Sequence, residues 1–395
     1  MKALTLFAGA GGADYGMAQA GFEHVRCIEH DKHAHATLCA AGFPGVLGDV
    51  RDPTLYRNLP TIDLLWASPP CQDWSSAGKR EGAGGSRNGW PWTWAVVRHL
   101  QRRGLGPRWF IAENVTGMLT HNTSGGCGKT CCQDPTVCPR TYFFEVLLPQ
   151  ARELFGWADF IVMDAADYGT PQFRRRVFLV AGPHRLRWPT PTHGETSQQE
   201  TLFGRRLKPY RTVRDALGLS GIVGSGLKGS EWPTDRAAPC IRDGNGTAGL
   251  YVRAFARRDE SIDMTDHPAH TIPSNLGKSS VWKRCSMGLR VAVDAAPSEP
   301  LVLSVESPCG IELSTTEAPS KSVTVGNGAG KTGLRYREET GDYRRRLTVA
   351  ECAALFDMPP DYPWQGTKTS QYRQIGNMVA WKCAAALCEA IKGAS

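Results

Sequence analysis

A mostly parallel α/β sheet covered by helices on both faces, with a loop-rich insertion late in the chain, is the fold class this 395-residue sequence predicts. Three observations predict it. Short apolar runs alternate with helix-period segments through the first 183 residues, the pattern of successive β-α-β units. The alternation stops near Gly182, and the following stretch is rich in Gly, Pro, Ser and Thr. A helical pattern returns at Thr348, where Glu351 stands three residues on, the spacing of a capping box. The length fits one large α/β domain with an insertion, or two domains. Composition, at 41% hydrophobic and 21% charged, supplies a core and excludes global disorder.

Taken in order, Lys2–Phe7 reads as a strand, followed by a Gly-rich turn and a helix near Ala13–Ala20. Val25–Glu29 is a second strand and Lys32–Ala41 a second helix. Ile62–Ala67 (IDLLWA) is a buried-type strand, Trp92–Arg103 a helix, and Trp109–Glu113 another strand. Phe143–Phe155 reads as helix, with strands near Phe160–Asp164 and Arg176–Ala181. A last helix, roughly Met378–Ile391, has the apolar content to pack back onto the first domain. Expected boundaries are 1–183, 184–345 and 346–395. Three stretches of the middle region, beginning at Asp235, Asp266 and Glu317, share a register of acid, small or hydroxyl residue, and β-branched residue. Their spacing is irregular, so they form no solenoid.

The absence of an 18-residue apolar run excludes a spanning helix, and the first residues, MKALTLFAGAGG, lack a leader pattern. The expectation is a cytoplasmic protein. Thirteen scattered cysteines argue against a secreted disulfide framework. The net charge is +8, of which +6 lies between His184 and Arg346 (24 Lys+Arg against 18 Asp+Glu). A basic middle region suits a polyanionic partner, or is simply a solvated face.

Chemistry-bearing motifs sit at the predicted strand ends. Phe7-Ala-Gly-Ala-Gly-Gly12 follows a strand and opens a helix, so backbone N–H groups can approach a polar or anionic ligand. Glu29 ends the next strand, where a carboxylate can accept ribose hydroxyls, and Asp49 in Gly48-Asp49-Val50 can read a nucleobase amino group. Together these point to a nucleoside-containing cofactor. Ser68-Pro-Pro-Cys-Gln-Asp-Trp-Ser-Ser-Ala-Gly78 follows the IDLLWA strand, and its prolines fix the direction of Cys71, a nucleophile candidate or a small buried hydrophobe. The Gly78–Gly89 stretch carries Lys79, Arg80 and Arg87 and reads as a mobile cationic loop. Glu113-Asn114-Val115 ends another strand; a desolvated carboxyl there has a raised pKa and can donate a proton, or it caps a helix. In Gln172-Phe-Arg-Arg-Arg-Val, strand alternation places Arg174 and Arg176 on one face, where two guanidiniums lower the pKa of a nearby thiol.

With these residues the chain resembles a cytosine-C5 DNA methyltransferase of the prokaryotic or phage type. FAGAGG resembles that family's first motif, PPCQ with the trailing S-x-A-G-K its nucleophile motif, and ENV and Q-x-R-x-R two more. Arg346-Leu-Thr-x-x-Glu-Cys and Tyr372-Arg-Gln-Ile-Gly-Asn377-Met-Val resemble the last two. All six come in family order and frame residues 1–183 and 346–392. The resemblance implies a Rossmann-like, S-adenosylmethionine-dependent catalytic domain, with a smaller target recognition domain inserted before the C-terminal motifs. It implies methyl transfer to C5 of a cytosine flipped from duplex DNA, through a covalent adduct of Cys71 with C6. Glu113 acts at N3, Arg174 and Arg176 hold the base carbonyl and the catalytic loop, and Gln72 belongs to the catalytic set. Cofactor contacts carried over are Phe7, Gly9 and Gly11 around the methionine part, Glu29 at the ribose, Asp49 and Val50 at the adenine, and Asn377 and Val379 from the last motif. Double-stranded DNA is the expected partner, with no membrane and a monomeric chain, on the nucleoid of a bacterial or phage-infected cell and in the context of restriction and modification. An RNA cytosine methyltransferase on the same scaffold, or a non-catalytic DNA-binding regulator, are the rival readings.

Two departures stand out. The family's cofactor-contacting leucine has no obvious counterpart: Arg87-Asn-Gly-Trp90 is nearest, with Trp92 and Trp94 as rivals. Cys127, Cys131, Cys132 and Cys138 crowd twelve residues, which suits a structural zinc site or four unligated thiols.

Overall fold

A computed structural model describes residues 1–71, 83, 85, 87–120, 138–195, 206–217, 237 and 347–394, and the backbone of five short strands between 222 and 345. Its first part alternates as the sequence predicts: β1 (Lys2–Leu6), α1 (Gly12–Gln19), β2 (Glu23–Glu29), α2 (Lys32–Ala40), β3 (Gly45–Leu47), β4 (Leu64–Ala67), α3 (Trp90–Arg102) and β5 (Trp109–Val115). After α4 (Pro139–Thr141) the chain makes a π-helical turn, Tyr142–Leu147, and continues as α5 (Leu148–Phe155) into β6 (Trp157–Asp164) and β7 (Arg175–Gly182). The predicted continuous helix over Phe143–Phe155 is therefore in two parts. The wide turn sits just before Pro149, which has no N–H to give the carbonyl one turn back.

These strands form one seven-stranded sheet in the order β3-β2-β1-β4-β5-β7-β6. Every pairing is parallel except those of β7, which runs against both β5 and β6. The chain winds outward from β1 through β2 to β3, then returns to the other side of β1 with β4. The carboxyl ends of β1 and β4 thus flank a topological switch point, where open α/β sheets take their ligands.

Both faces of the sheet are covered. Leu4, Leu6, Leu65, Phe110 and Leu179 pack with Trp94, Val97 and Leu100 of α3 and with Leu148 and Ala151 of α5. Ala3, Trp66, Trp109, Ile111 and Phe178 pack with Met17 of α1 and Cys383, Leu387 and Ile391 of the last helix. Each such large side chain withdrawn from water contributes about 1.5–3 kcal/mol before chain entropy is set against it.

Beyond β7, α6 (Val213–Leu217) is followed by the residues outside the described set, among them the three acid-initiated repeats. The C-terminal part holds α7 (Val349–Ala354), α8 (Lys368–Asn377) and α9 (Trp381–Ala394). The capping box forms: the Thr348 hydroxyl accepts from the Glu351 amide while the Glu351 carboxylate accepts from that of Thr348. The expected last helix begins three residues later than Met378, because Met378 is extended (φ −67°, ψ 144°) and ends α8.

Two glycines of α1 decide how α9 docks. A Cβ at Gly16 would lie 2.3 Å from the Trp381 carbonyl oxygen, and one at Gly12 2.1 Å from Met378 Cγ and 2.5 Å from the Val379 carbonyl oxygen. Polar ties fix α8 and the loop before it: Arg373 pairs with Asp31 (2.6 Å), Thr37 of α2 donates to Gln374 Oε1 (2.7 Å), and the Tyr362 hydroxyl donates to the Ala10 carbonyl. Among the described residues no helix is long and apolar enough to cross a membrane.

Candidate active site

The glycine turn after β1 is held in a conformation that few residues adopt. Gly9 (φ +60°) and Gly11 (φ +87°) are left-handed, and so is Phe7 (φ +56°), a bulky residue for which that region costs roughly 1–2 kcal/mol. The Glu29 side chain offsets part of this. One carboxylate oxygen accepts the Gly9 amide and the other the Asp31 amide, both at 2.7 Å. Glu29 is therefore first a strut of the turn; a carboxylate retains further lone pairs for a ligand's hydroxyls.

A cleft of about 340 Å³ opens beside the turn, lined by Phe7, Ile28, His30, Asp49, Val50 and Trp92 among others. Its size suits a small molecule with a few fixed polar contacts. Asp49 is not idle in it. Arg51 grips its carboxylate at 2.9 and 2.6 Å, and this pairing holds the Asp49 carboxyl below the usual carboxylate range. Val50 is buried, and its carbonyl accepts the Tyr56 hydroxyl at 2.7 Å. Phe7, Asp49 and Val50 thus share one cleft; Gly9 and Gly11 form the turn at its edge. Val379 is buried, with its carbonyl against Gly12, and Asn377 is exposed at the end of α8.

The second cluster lies across the switch point. Register places Leu6, Ala67 and Ala112 side by side, so the segments that follow β1 and β4 and the end of β5 emerge level. The Asn114 amide donates to the Pro69 carbonyl at 3.1 Å, which ties the loop before Cys71 to β5. Glu113 is buried, and Arg176 Nε approaches its carboxylate at 3.0 Å. On the antiparallel pair Glu113 stands opposite Phe178, so Arg176 is its same-face diagonal neighbour. Arg174 lies just before β7 rather than in it, and both arginines act electrostatically on Glu113. Arg174 is 2% exposed, donates to the Gly376 carbonyl at 3.0 Å, and lies 5.1 Å from the Phe356 ring centre.

Cys71 is half-buried beside these groups. Burial pushes its thiol up; Arg176 pulls it down, Glu113 pushes it up and Arg174 pulls it down. Both arginines thus lower the thiol, as the sequence suggests, but desolvation outweighs them and the net direction is upward. Burial likewise raises the Glu113 carboxyl, against the opposing pull of Arg176 and Arg174. A carboxyl protonated above its ordinary range beside a withdrawn thiol can donate a proton to a polarised ring while sulfur attacks it.

Gln72, Cys127, Cys131 and Cys132 lie outside the described residues; Cys138 is buried at the start of α4. One group escaped sequence reasoning. A register shift in β2 opposite Ala3 and Leu4 turns His24 and Cys27 toward the same side, onto Asp14 of α1. Asp14 Oδ1 receives the Thr5 hydroxyl (2.6 Å) and the Cys27 thiol (3.2 Å), with His24 Nε2 at 3.4 Å. The three side chains carry metal-ligand atoms within 4.8 Å of one another; the Cys27 thiol hydrogen-bonds to Asp14, whereas His24 Nε2 and Asp14 Oδ2 are buried without a hydrogen-bond partner among the described residues. No local pattern signals the cluster, since the bulge depends on strand pairing.

A model of the C-5 cytosine-specific DNA methylase family matches residues 1–393. Type II methyltransferase M.AquIA of Picosynechococcus sp. is 36% identical over 231 residues, covering 55% of this chain and 87% of that protein. Type II methyltransferase M.FnuDI of Fusobacterium nucleatum is 26% identical over 396 residues, covering 99% of this chain and 94% of that one. In fold, the chain is similar to a putative DNA modification methyltransferase encoded within an E. coli prophage (TM-score 0.50, 22% identity, 100% and 99% covered). It is also similar to the Dnmt2 methyltransferase of S. pombe (TM-score 0.52, 12% identity, 100% and 99% covered).

Proposed function

The chain belongs to the C-5 cytosine-specific DNA methylase family, and from that premise we propose that Cys71 and Glu113 carry methylation of a flipped cytosine through a covalent adduct. The class of enzyme, a DNA cytosine-5 methyltransferase using S-adenosylmethionine, follows from the family. The residues, the adduct and the recognition of one duplex sequence are this proposal.

The observation that carries it is the convergence of Cys71, Glu113, Arg174 and Arg176 at the ends of β4, β5 and β7, across the switch point from the cleft. Cytosine C5 is a poor nucleophile until the ring loses aromaticity. Addition of the Cys71 thiolate to C6 moves the ring's electron pair toward C5 and N3. Glu113 in its protonated form supplies the proton at N3 that stabilises this charge. C5 would then take the methyl group from the cofactor's sulfonium, whose carbon–sulfur bond breaks to release S-adenosylhomocysteine. Loss of the C5 proton to water, expulsion of the thiolate and return of the N3 proton to Glu113 restore the ring. Arg176 orients Glu113, and Arg174, anchored on Gly376 and Phe356, adds positive charge that lowers the thiol. None of this is possible within a stacked duplex, so the base must be extruded.

The cleft fits the cofactor: a nucleoside-sized space whose wall includes Phe7 and Asp49, beside a glycine turn that Glu29 holds through the Gly9 amide. Bound S-adenosylmethionine supplies an electrophilic methyl group on its sulfonium. Phe7, Gly9 and Gly11 would hold its amino-acid part, Glu29 its ribose, Asp49 and Val50 its adenine, with Asn377 and Val379 closing from the C-terminal side. Residues 184–345, with most of the positive charge, would form the target recognition domain, and 346–395 would complete the catalytic domain 1–183.

Duplex DNA with 5-fluorocytosine at the target position tests the adduct, because fluorine cannot leave as the C5 proton does. The wild type with methyl donor should become covalently trapped and resist denaturing electrophoresis; C71S should bind DNA without trapping. Absence of trapping by an active wild type refutes the mechanism.

A further inference from the structure

Three tryptophans open α3, and the structure separates their roles. Trp90 and Trp94 are 1% and 2% exposed and belong to the core under the sheet. Trp92 is 46% exposed, one of the largest apolar side chains left to solvent among the described residues, and it lines the 340 Å³ cleft. A surface indole on a helix that packs so well on its other side has a cost in solubility and contributes nothing to the core. Its position also has company. The Arg51 guanidinium stands 5.9 Å from the Trp92 ring centre while it grips Asp49 at 2.9 and 2.6 Å. Asp49, Arg51 and Trp92 therefore form one connected wall, built from the loop after β3 and the first turn of α3.

We propose that Trp92 is the aromatic plate on which the cofactor's adenine stacks, and that the Asp49–Arg51 pair holds that wall in place. The proposal rests on the reading of the cleft as the S-adenosylmethionine site. An indole offers a flat π surface to a purine, and such stacking needs no hydrogen-bond match. Its neighbours Ile28 and Val50 add apolar surface to the same cleft, and Asp49 offers lone pairs to an amino group. Trp90, the nearer match by sequence to a family position that contacts cofactor, is buried in the core and is assigned no contact with adenine.

The test is equilibrium binding, by calorimetry, of two unreactive probes: S-adenosylhomocysteine and the shorter 5′-methylthioadenosine. Loss of one base–aromatic stack weakens binding by roughly five- to hundred-fold. W92A should lose that factor for both probes, since both carry adenine, and W92F should stay within a few-fold of wild type. The thermal midpoint of W92A should stay at the wild-type value, since the side chain is half in solvent. Wild-type binding to both probes with W92A unchanged overturns the assignment of Trp92 alone. So does a loss confined to S-adenosylhomocysteine, which would place the indole at the amino-acid end. Failure of the wild type to bind either probe overturns the reading of the cleft and this inference with it.

Discussion

Replacing Glu113 by Gln tests the acid at its most exposed point of logic, because the change is nearly isosteric. The carboxamide of E113Q keeps an oxygen for the Arg176 Nε–H now 3.0 Å away, so the orientation of both groups survives. What is lost is the dissociable proton and the negative charge. A positioned acid contributes about 10²–10⁴ in rate, or roughly 3–5 kcal/mol of transition-state stabilisation. Stability should change less, by about 1–3 kcal/mol, the scale for weakening one partly buried charged hydrogen bond. The pH dependence is the sharper readout. Burial raises the Glu113 carboxyl, and the acid works only while protonated, so its contribution is complete below the raised pKa and falls tenfold per pH unit above it. Because the Glu113 charge pushes the Cys71 thiol up, its removal also lowers the thiol in E113Q, so each rate is first divided by the thiolate fraction of that variant, read from the pH dependence of Cys71 alkylation. The wild-type to E113Q ratio of these corrected single-turnover rates, measured from pH 5 to 10, should therefore be flat and then decline with unit slope. A ratio that stays constant over the whole range would refute a proton-donating role, and a rate unchanged by the substitution would remove Glu113 from the chemistry.

Two further outcomes follow from the same geometry. Gly12→Ala puts a methyl group 2.5 Å from the Val379 carbonyl oxygen, which is backbone and cannot swing aside, so the C-terminal link must shift. The expected cost is about 1–3 kcal/mol, read as a lower urea midpoint, together with weaker S-adenosylhomocysteine binding; an unchanged midpoint contradicts the packing described. Metal analysis of purified protein should find one zinc per chain if Cys127, Cys131, Cys132 and Cys138 form a closed site, with loss of the zinc in C131S; protein without zinc removes that site.

The motifs were legible because each is a local statement. Glycines at 9 and 11, prolines before Cys71, an acid at the end of an apolar strand and a capping box at Thr348 all report backbone geometry within a few residues. Strand-helix alternation then places their ends on one edge of a parallel sheet, so the candidate residues could be gathered before any contact was known. Other features could not be read this way. Which of three tryptophans faces the cleft depends on how α3 rolls against the sheet. That desolvation overrides two arginines at Cys71 depends on depth beneath neighbouring loops. The Asp14, His24 and Cys27 network needs a strand bulge. The C-terminal segment before α9 is locked by contacts reaching across more than three hundred residues, from Tyr362 to Ala10 and from Gln374 to Thr37. Local chemistry is written in spacing; burial and pairing energies belong to surfaces that exist only once distant segments have met.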